Sequence, residues 1–326
     1  FDSDIQVQQR QKPAIQCTGF LVPPGFRQFD EDYGFSRKRA DQPRYPADGA
    51  TVVPAPGDHY NAAYVISVRA GGDAVTRLVL KTYENPDLDR EAKARREFRA
   101  LQMLREADVP TPEPIWLDDR GALLGAPAIA SGFIDGVEPN CDEDAVAYAT
   151  AAAAMLARIH RTAICDSDMP ILMDGNAECV WFLKAGVPDY MHTHPHGELL
   201  WHAIADMHAQ TTSTSRALLH TDFWTGNVLW DGRDIVAVLD WEEAAYGDPA
   251  IDVAYCRMDM HLNGMGSAIA DQFLRRYEEA AGRPVEHLAL WELAAAVRPM
   301  HDGEWEHECR DELLGFIADA RRRAGI

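Results

Sequence analysis

His220-Thr221-Asp222-Phe223-Trp224-Thr225-Gly226-Asn227 is followed by Val228-Leu229-Trp230-Asp231-Gly232 and, after two residues, by Ile235-Val236-Ala237-Val238-Leu239-Asp240-Trp241-Glu242. This is the stretch from which the fold can be read. Asp231-Gly232 between two short apolar runs signals a β-hairpin, because an Asp-Gly pair accepts the left-handed backbone of a tight, twist-matched turn. A hairpin here brings Asn227, at the start of its first strand, close to Asp240, at the end of its second. A carboxamide and a carboxylate so placed are hard oxygen donors. Mg²⁺ prefers such donors, takes one or two protein carboxylates and leaves its other positions to phosphate and water. Asp222 lies on the same loop, where its carboxylate could face an attacking hydroxyl. If His220, Asp222 and Asn227 only capped turns beside the hairpin, the placement of Asp240 would be a coincidence.

The spacing His-x-Asp-x4-Asn is that of a kinase catalytic loop, in which the Asp accepts the substrate hydroxyl proton and the Asn holds Mg²⁺. Continued through Trp241-Glu242-Glu243-Ala244-Ala245-Tyr246-Gly247-Asp248-Pro249-Ala250-Ile251-Asp252-Val253-Ala254, the segment resembles the aminoglycoside phosphotransferase family of small-molecule kinases. The resemblance implies an α+β, bilobal, protein-kinase-like fold, with a small β-rich N-lobe and a larger, mainly helical C-lobe. It implies ATP or GTP as co-substrate, Asp222 as the catalytic residue, and Asn227 and Asp240 as the ligands of Mg²⁺. His220 then braces the loop by hydrogen bonding, while Asp248 and Asp252 support the C-lobe. A cytoplasmic enzyme of the antibiotic-resistance type is the corresponding expectation.

Upstream, Ala63-Tyr64-Val65-Ile66-Ser67-Val68 and Arg77-Leu78-Val79-Leu80-Lys81-Thr82-Tyr83 flank Gly71-Gly72-Asp73, a second hairpin signal. A helix opens at Asp89 and ends near Ala107, ahead of Pro110 and Pro112. Further strands are expected over 113–117 and 128–133. Glu97 shares a helical face with Leu101 and Leu104, so it points inward, and an inward carboxylate needs a cation. Lys81, at a strand end, is that cation by resemblance to the strand lysine and helix glutamate of kinases, with Glu91 as the rival to Glu97. Both then belong to the nucleotide site. Gly57-Asp58-His59-Tyr60-Asn61-Ala62-Ala63-Tyr64 stands where kinases place a phosphate-covering loop, and backbone amides around Tyr60 and Asn61 would cradle phosphate. No G-x4-G-K-[ST] occurs, which excludes a P-loop enzyme. Ser131-Gly132-Phe133-Ile134-Asp135-Gly136 is the expected interlobe connection, with the backbone of Ser131 and Phe133 reading an adenine edge. The domain reading is therefore a leader over 1–48, solvated or loosely docked, an N-lobe over 49–130, a hinge over 131–136 and a helical C-lobe over 137–326.

With 326 residues and 47% hydrophobic content, the chain can bury a large core. No run approaches the roughly 18 apolar residues of a membrane span, so no membrane partner is expected. A net charge of −21 argues against nucleic acid as partner, since phosphate backbones need a basic face. That charge permits a cationic acceptor without demanding one. The six cysteines, Cys17, Cys141, Cys165, Cys179, Cys256 and Cys309, contain no C-x-x-C pair and fit reduced thiols. A monomer or homodimer is expected.

Two departures from protein kinases point to a small-molecule acceptor. Thr221 replaces the arginine that would pair with a phosphorylated activation loop, and Asp240 is followed by Trp241-Glu242 with no Ala-Pro-Glu beyond. Helices are expected over 142–161, 197–210, 249–261, 265–281, 285–297 and 306–323. Residues 163–215 read as an insertion that helps to wall the acceptor site. His192, His194 and His196 within it favour a solvated turn over a metal site. Asp302-Gly303-Glu304-Trp305-Glu306-His307-Glu308 is either a second acceptor wall or a solvated helix start. The acceptor stays open at this level. An aminoglycoside leads, with a macrolide, amino sugar, choline-like alcohol or homoserine as alternatives. A nucleotide-binding module without catalysis is the rival of another class, and the intact Asp222, Asn227 and Asp240 argue against it.

Overall fold

Alternating apolar residues set the first sheet. In the computed structural model, which describes residues 50–55, 61–69, 75–86, 88–212, 215–302 and 310–326, β1 (Ala50–Pro54), β2 (Ala62–Arg69) and β3 (Val75–Thr82) pair antiparallel. The expected leader, the Gly71-Gly72-Asp73 turn, Tyr60 and residues 303–309 lie outside the described residues. Helix α1 (Arg90–Glu106) begins where Asp89 accepts a hydrogen bond from the Ala92 amide at 3.0 Å, a side-chain cap on one of the helix's orphan donors. β4 (Pro114–Asp118) and β5 (Ala128–Gly132) complete a five-stranded sheet of order β1-β2-β3-β5-β4.

The strand period decides which side chains meet the helix. Leu80, Ala128 and Ala130 pack with Ile66, Trp116 and Leu124 in a small cluster of their own. Ile129, the register partner of Lys81, instead joins Tyr83 and the α1 residues Ala94, Leu101 and Leu104 in the main core. Lys81 therefore stands on the α1 side of β3, next to Glu97.

The connection that follows is sewn to the larger part of the molecule. Val137 and Trp230 exchange backbone hydrogen bonds of 3.0 and 2.7 Å. Gly136 passes so close to Leu229 that a Cβ there would sit 2.7 Å from the Leu229 Cβ. Helix α2 (Cys141–Ile159), capped by Asn140, buries Tyr148, Ala149, Ala152, Ala153 and Leu156. Its small alanine side chains allow a close approach to the later helix over Gly266–Ala281. Next come β6 (Met173–Asp174), α3 (Gly175–Glu178), α4 (Asp189–Thr193), α5 (Gly197–Gln210) and β7 (Ala217–Leu219). The hairpin has the expected place, with β8 (Val228–Trp230) antiparallel to β9 (Ile235–Val238), and β10 (Ala245–Gly247) joins β6 and β7 in a three-stranded sheet.

The rest is helical: α6 (Ala250–Leu262), α7 (Gly266–Ala281), which lies against α2, α8 (Leu288–Ala295), α9 (Val297–Asp302) and α10 (Arg310–Ala324). One expectation needs correction here. Residues 285–297 do not form one helix, because His287 takes a left-handed φ of 57° and the helix starts only after it. Helix α9 then carries Pro299 in its first turn, where a missing amide costs no intrahelical bond. An antiparallel sheet followed by a mainly helical part is the α+β, protein-kinase-like architecture expected from the sequence. No helix among the described residues is long and apolar enough to cross a membrane.

Candidate active site

The loop between β7 and β8 is held from below by one face of α6. Asp252, Tyr255 and Asp259 are spaced i, i+3 and i+7, which puts them on one side of the helix. Asp252 is fully buried and accepts the amides of His220 at 2.8 Å and Thr221 at 2.7 Å, and it also contacts His160 Nε2 at 3.1 Å. Asp259 accepts the Thr225 amide at 3.2 Å and the Asn263 amide group at 2.7 Å, and burial pushes its carboxyl up to about 7. Such anchorage sustains the left-handed φ of Thr221, 66°, an uncommon value for a β-branched residue. His220 braces the loop as expected, its Nε2 donating to the Leu239 carbonyl at 2.7 Å and its Nδ1 accepting the Asp222 amide at 3.3 Å.

Asp222 is thereby presented with its carboxylate oriented on several sides. The Asn227 amide group donates to the Asp222 carbonyl and to Oδ2, both at 2.9 Å. Arg298 Nη2 lies 3.2 Å from Oδ1, and the Tyr255 hydroxyl also bonds the carboxylate. Burial alone would raise the Asp222 carboxyl. The Arg298 guanidinium, with His220, outweighs burial and holds it below the ordinary carboxylate value. Arg298 is itself fixed by the Thr221 carbonyl at 3.0 Å, by Glu243 at 3.5 Å and by the Tyr255 ring, 4.8 Å from its centroid.

A second cluster gathers around Lys81. Its ammonium contacts Glu97 at 3.0 Å, Asp240 at 2.6 Å and Glu242 at 2.9 Å. Burial would lower the Lys81 pKa, but Glu97 and Asp240 together raise it well above the usual lysine value. Burial likewise raises Glu97, although Lys81 opposes it and the Tyr83 hydroxyl donates to it at 2.5 Å. Glu242 collects further donors, Asn61 Nδ2 at 2.7 Å and Lys93 at 2.5 Å. Asp240 has a left-handed φ of 61° and, on the hairpin, follows Leu239, whose amide bonds the Asn227 carbonyl at 2.8 Å.

The donors present suit a hard cation. Glu97, Asp240 and Glu242 each offer a carboxylate oxygen within 4.8 Å of one another. The amide nitrogen of Asn227 is committed to Asp222, which leaves its carbonyl oxygen for a metal. An all-oxygen set of carboxylate and carboxamide with a half-exposed Asp240 is what Mg²⁺ accepts.

Glu91 pairs with Arg95 on the surface at 2.8 Å, away from Lys81, so Glu97 rather than its rival faces the lysine. Ser131 is paired on both sides within the sheet, and the Phe133 amide is taken by the Arg77 carbonyl at 3.1 Å. The Phe133 ring lies 4.2 Å beneath the Arg77 guanidinium. His192, on α4, contacts Glu198 at 2.7 Å, while His194 is buried, which lowers it to about 4, and its Nδ1 accepts the His196 amide at 3.2 Å, so the stretch is not the solvated turn expected from the sequence. Asp248 caps the start of α6, accepting the Ala250 amide at 3.0 Å.

Sequence reasoning passed over Glu242, Lys93, Tyr255, Asp259 and Arg298. Periodicity on α6 was the available signal for Tyr255 and Asp259. Nothing local marks Arg298, because it reaches Asp222 from 76 positions away through tertiary packing. One turn beyond it on α9, His301 packs edge-on against Trp181 and Tyr190 at 4.9 and 5.2 Å between centroids. Trp181 remains 41% exposed, which leaves an aromatic surface around His301, one helical turn from Arg298.

The family described as "Phosphotransferase enzyme family" matches residues 51–293. Among curated proteins, hygromycin-B 4-O-kinase of Escherichia coli is 39% identical over 69 residues, which is 21% of this chain and 20% of that protein. Acyl-CoA dehydrogenase family member 10 of Mus musculus is 26% identical over 189 residues, 51% of this chain and 17% of that protein. The chain thus spans a fifth or less of the curated relatives it matches. A thermostable mutant of aminoglycoside phosphotransferase APH(4)-Ia, in ternary complex with ADP and hygromycin B, superposes with a TM-score of 0.59 at 18% identity, covering 92% of this chain and 98% of that one. Macrolide 2'-phosphotransferase MphH from Brachybacterium faecium gives 0.56 at 18% identity, covering 92% and 95%. At such identities the structural likenesses bear on the fold.

Proposed function

The chain belongs to the phosphotransferase enzyme family, and from that premise we propose that it moves the γ-phosphoryl group of ATP or GTP to a hydroxyl of a small molecule. The observation that carries this reading is a pair of linked clusters, Asp222 with Asn227 and Lys81 with Glu97 and Asp240, joined through the hydrogen bond of the Leu239 amide to the Asn227 carbonyl. Phosphoryl transfer demands little covalent chemistry of the protein and much positioning and charge stabilisation. Asp222 orients the acceptor hydroxyl and takes its proton. Its depressed pKa suits an orienting carboxylate that stays ionised at neutral pH. Lys81, aligned by Glu97, neutralises the non-transferred phosphates. Asn227 and Asp240 would hold Mg²⁺, which supplies charge neutralisation across the phosphates when bound. Asn61, fixed on Glu242, brings the start of β2 to that cluster, and the backbone there covers the phosphates. Ser131 is paired within the sheet and the Phe133 amide is held by the Arg77 carbonyl, so neither is the free adenine-reading amide that the resemblance implied.

In this reading the small lobe is the expected 49–130 with its last strand running on to Gly132, the rest of 131–136 is the connection, and 137–326 is the large lobe. The acceptor enters from the side of Asp222 away from Lys81, between Arg298 and the Trp181–Tyr190–His301 surface. The APH(4)-Ia and MphH relatives make an aminoglycoside or a macrolide the first acceptors to try, followed by amino sugars, choline-like alcohols and homoserine. The test is nucleotide consumption by the purified chain with Mg²⁺ against that panel. Acceptor-dependent turnover is expected. A chain that binds no Mg-nucleotide and phosphorylates nothing would overturn the reading.

A further inference from the structure

Helix α1 carries a row of cations that the chemistry above does not use. Lys93, Arg96 and Arg99 are spaced i, i+3 and i+6 along it, and each ends on the larger lobe. Lys93 contacts Glu242 Oε1 at 2.5 Å. Arg96 donates to the Glu242 carbonyl at 2.7 Å and to the Ile171 carbonyl at 3.2 Å. Arg99 donates to Asp168 Oδ1 at 2.8 Å, and the other Asp168 oxygen accepts the Cys165 amide at 3.1 Å. Asp168 is 2% exposed and Glu242 9%. Buried carboxylates left without their cations would be strongly unfavourable, so these pairs hold the helix firmly to its partner lobe. Glu97 lies within the same stretch, immediately after Arg96.

In kinase folds the lysine–glutamate pair is made or broken by movement of this helix, which is how activation is commonly controlled. Here the helix is tied at both the Glu242 and the Asp168 ends of that stretch. We propose that Lys93, Arg96 and Arg99 are positioning residues that keep α1 docked against the larger lobe and thereby hold Glu97 on Lys81. The inference rests on the phosphotransferase reading for its readout.

The test uses the full chain with Mg²⁺ and AMP-PNP as probe in calorimetry. Arg99→Met and Lys93→Met, singly and with Arg96→Met, should weaken Mg-AMP-PNP by at least about fivefold, the low end of typical site-to-site coupling. The KM for nucleotide should rise while that for the acceptor holds. Arg99→Lys should recover most of the loss. Asp168→Asn should match Arg99→Met, and the double variant should be no worse than either, as paired residues behave in a mutant cycle. Folded variants with affinity within about twofold of wild type would overturn the proposal. If the triple variant fails to fold, the Arg99–Asp168 cycle decides by the same criteria. A wild-type chain that does not bind Mg-AMP-PNP would instead sink the phosphotransferase reading, leaving the two failures distinguishable.

Discussion

At the residue scale, the central carboxylate is Asp222, whose environment argues for geometry over basicity. Asn227, Arg298 and Tyr255 fix it and keep it charged. Asp222→Asn should therefore retain fold and Mg-nucleotide binding while turnover drops about 10²–10⁴-fold, the range for losing a general base. Steady-state kinetics with the best acceptor checks this, and near-wild-type turnover would remove Asp222 from the mechanism. Asp240 is the complementary case. Asp240→Ala should abolish most of the Mg²⁺ dependence of nucleotide binding, because the neutral Asn227 is a weak ligand alone. Calorimetry with and without Mg²⁺ reads it, and an unchanged metal effect would make Asp240 purely a partner of Lys81. Both residues were legible in the sequence because a short loop and a hairpin fix their separation. Arg298 was not, since its meeting with Asp222 depends on how α9 packs. Glu242 was quoted in the motif but unassigned, because only the folded chain shows Asn61, Lys81 and Lys93 converging on it.

At the element scale, the loop that carries Asp222 is a passenger of α6. Asp252 and Asp259 take backbone amides from it, so the helix determines where Asp222 points. Sequence periodicity located the helix to within a residue at each end, and the resemblance gave Asp252 a supporting role, but Tyr255 and Asp259 on the same side went unassigned. The reason is physical: period identifies which face is apolar but cannot tell a solvated polar stripe from one buried against a loop. Asp259 also makes this element sensitive to pH. Its carboxyl is raised from about 3.8 to about 7 in the folded chain. Between those values the folded state keeps a proton that the unfolded state releases, so stability falls as pH rises across that window. Asp259→Asn keeps an acceptor for the Thr225 amide and carries no charge. Its stability should exceed wild type at pH 8, with the difference shrinking toward pH 4. Denaturant melts at several pH values would show this, and parallel pH profiles for the two proteins would refute it.

For the molecule as a whole, the order of elements followed from alternation in β2 and β3, the capped helix after Asp89 and the hairpin at Asp231-Gly232. The break at His287 and the short α9 escaped that reading, because a left-handed histidine has no compositional mark. Net charge is the remaining property of the entire chain that bears on function. At −21 the surface field repels an anionic Mg-nucleotide and attracts a cationic acceptor over distances longer than any contact. Screening shortens that reach from about 30 Å at 0.01 M salt to about 8 Å at 0.15 M. Raising salt across this range should therefore speed nucleotide association and slow that of a polyamine sugar, while a neutral macrolide-like or sugar acceptor with no net charge responds to neither. Close to Asp222 the balance differs, because Arg298 already neutralises one of the two carboxylates beside it, Asp222 and Glu243. The salt effect should accordingly appear in association rates and leave dissociation nearly unchanged. Stopped-flow binding of both substrates at the two salt concentrations measures this. Equal salt responses for nucleotide and cationic acceptor would mean that the −21 charge serves solubility alone and that local side chains, Lys81 for the phosphates and Arg298 for the acceptor, govern entry.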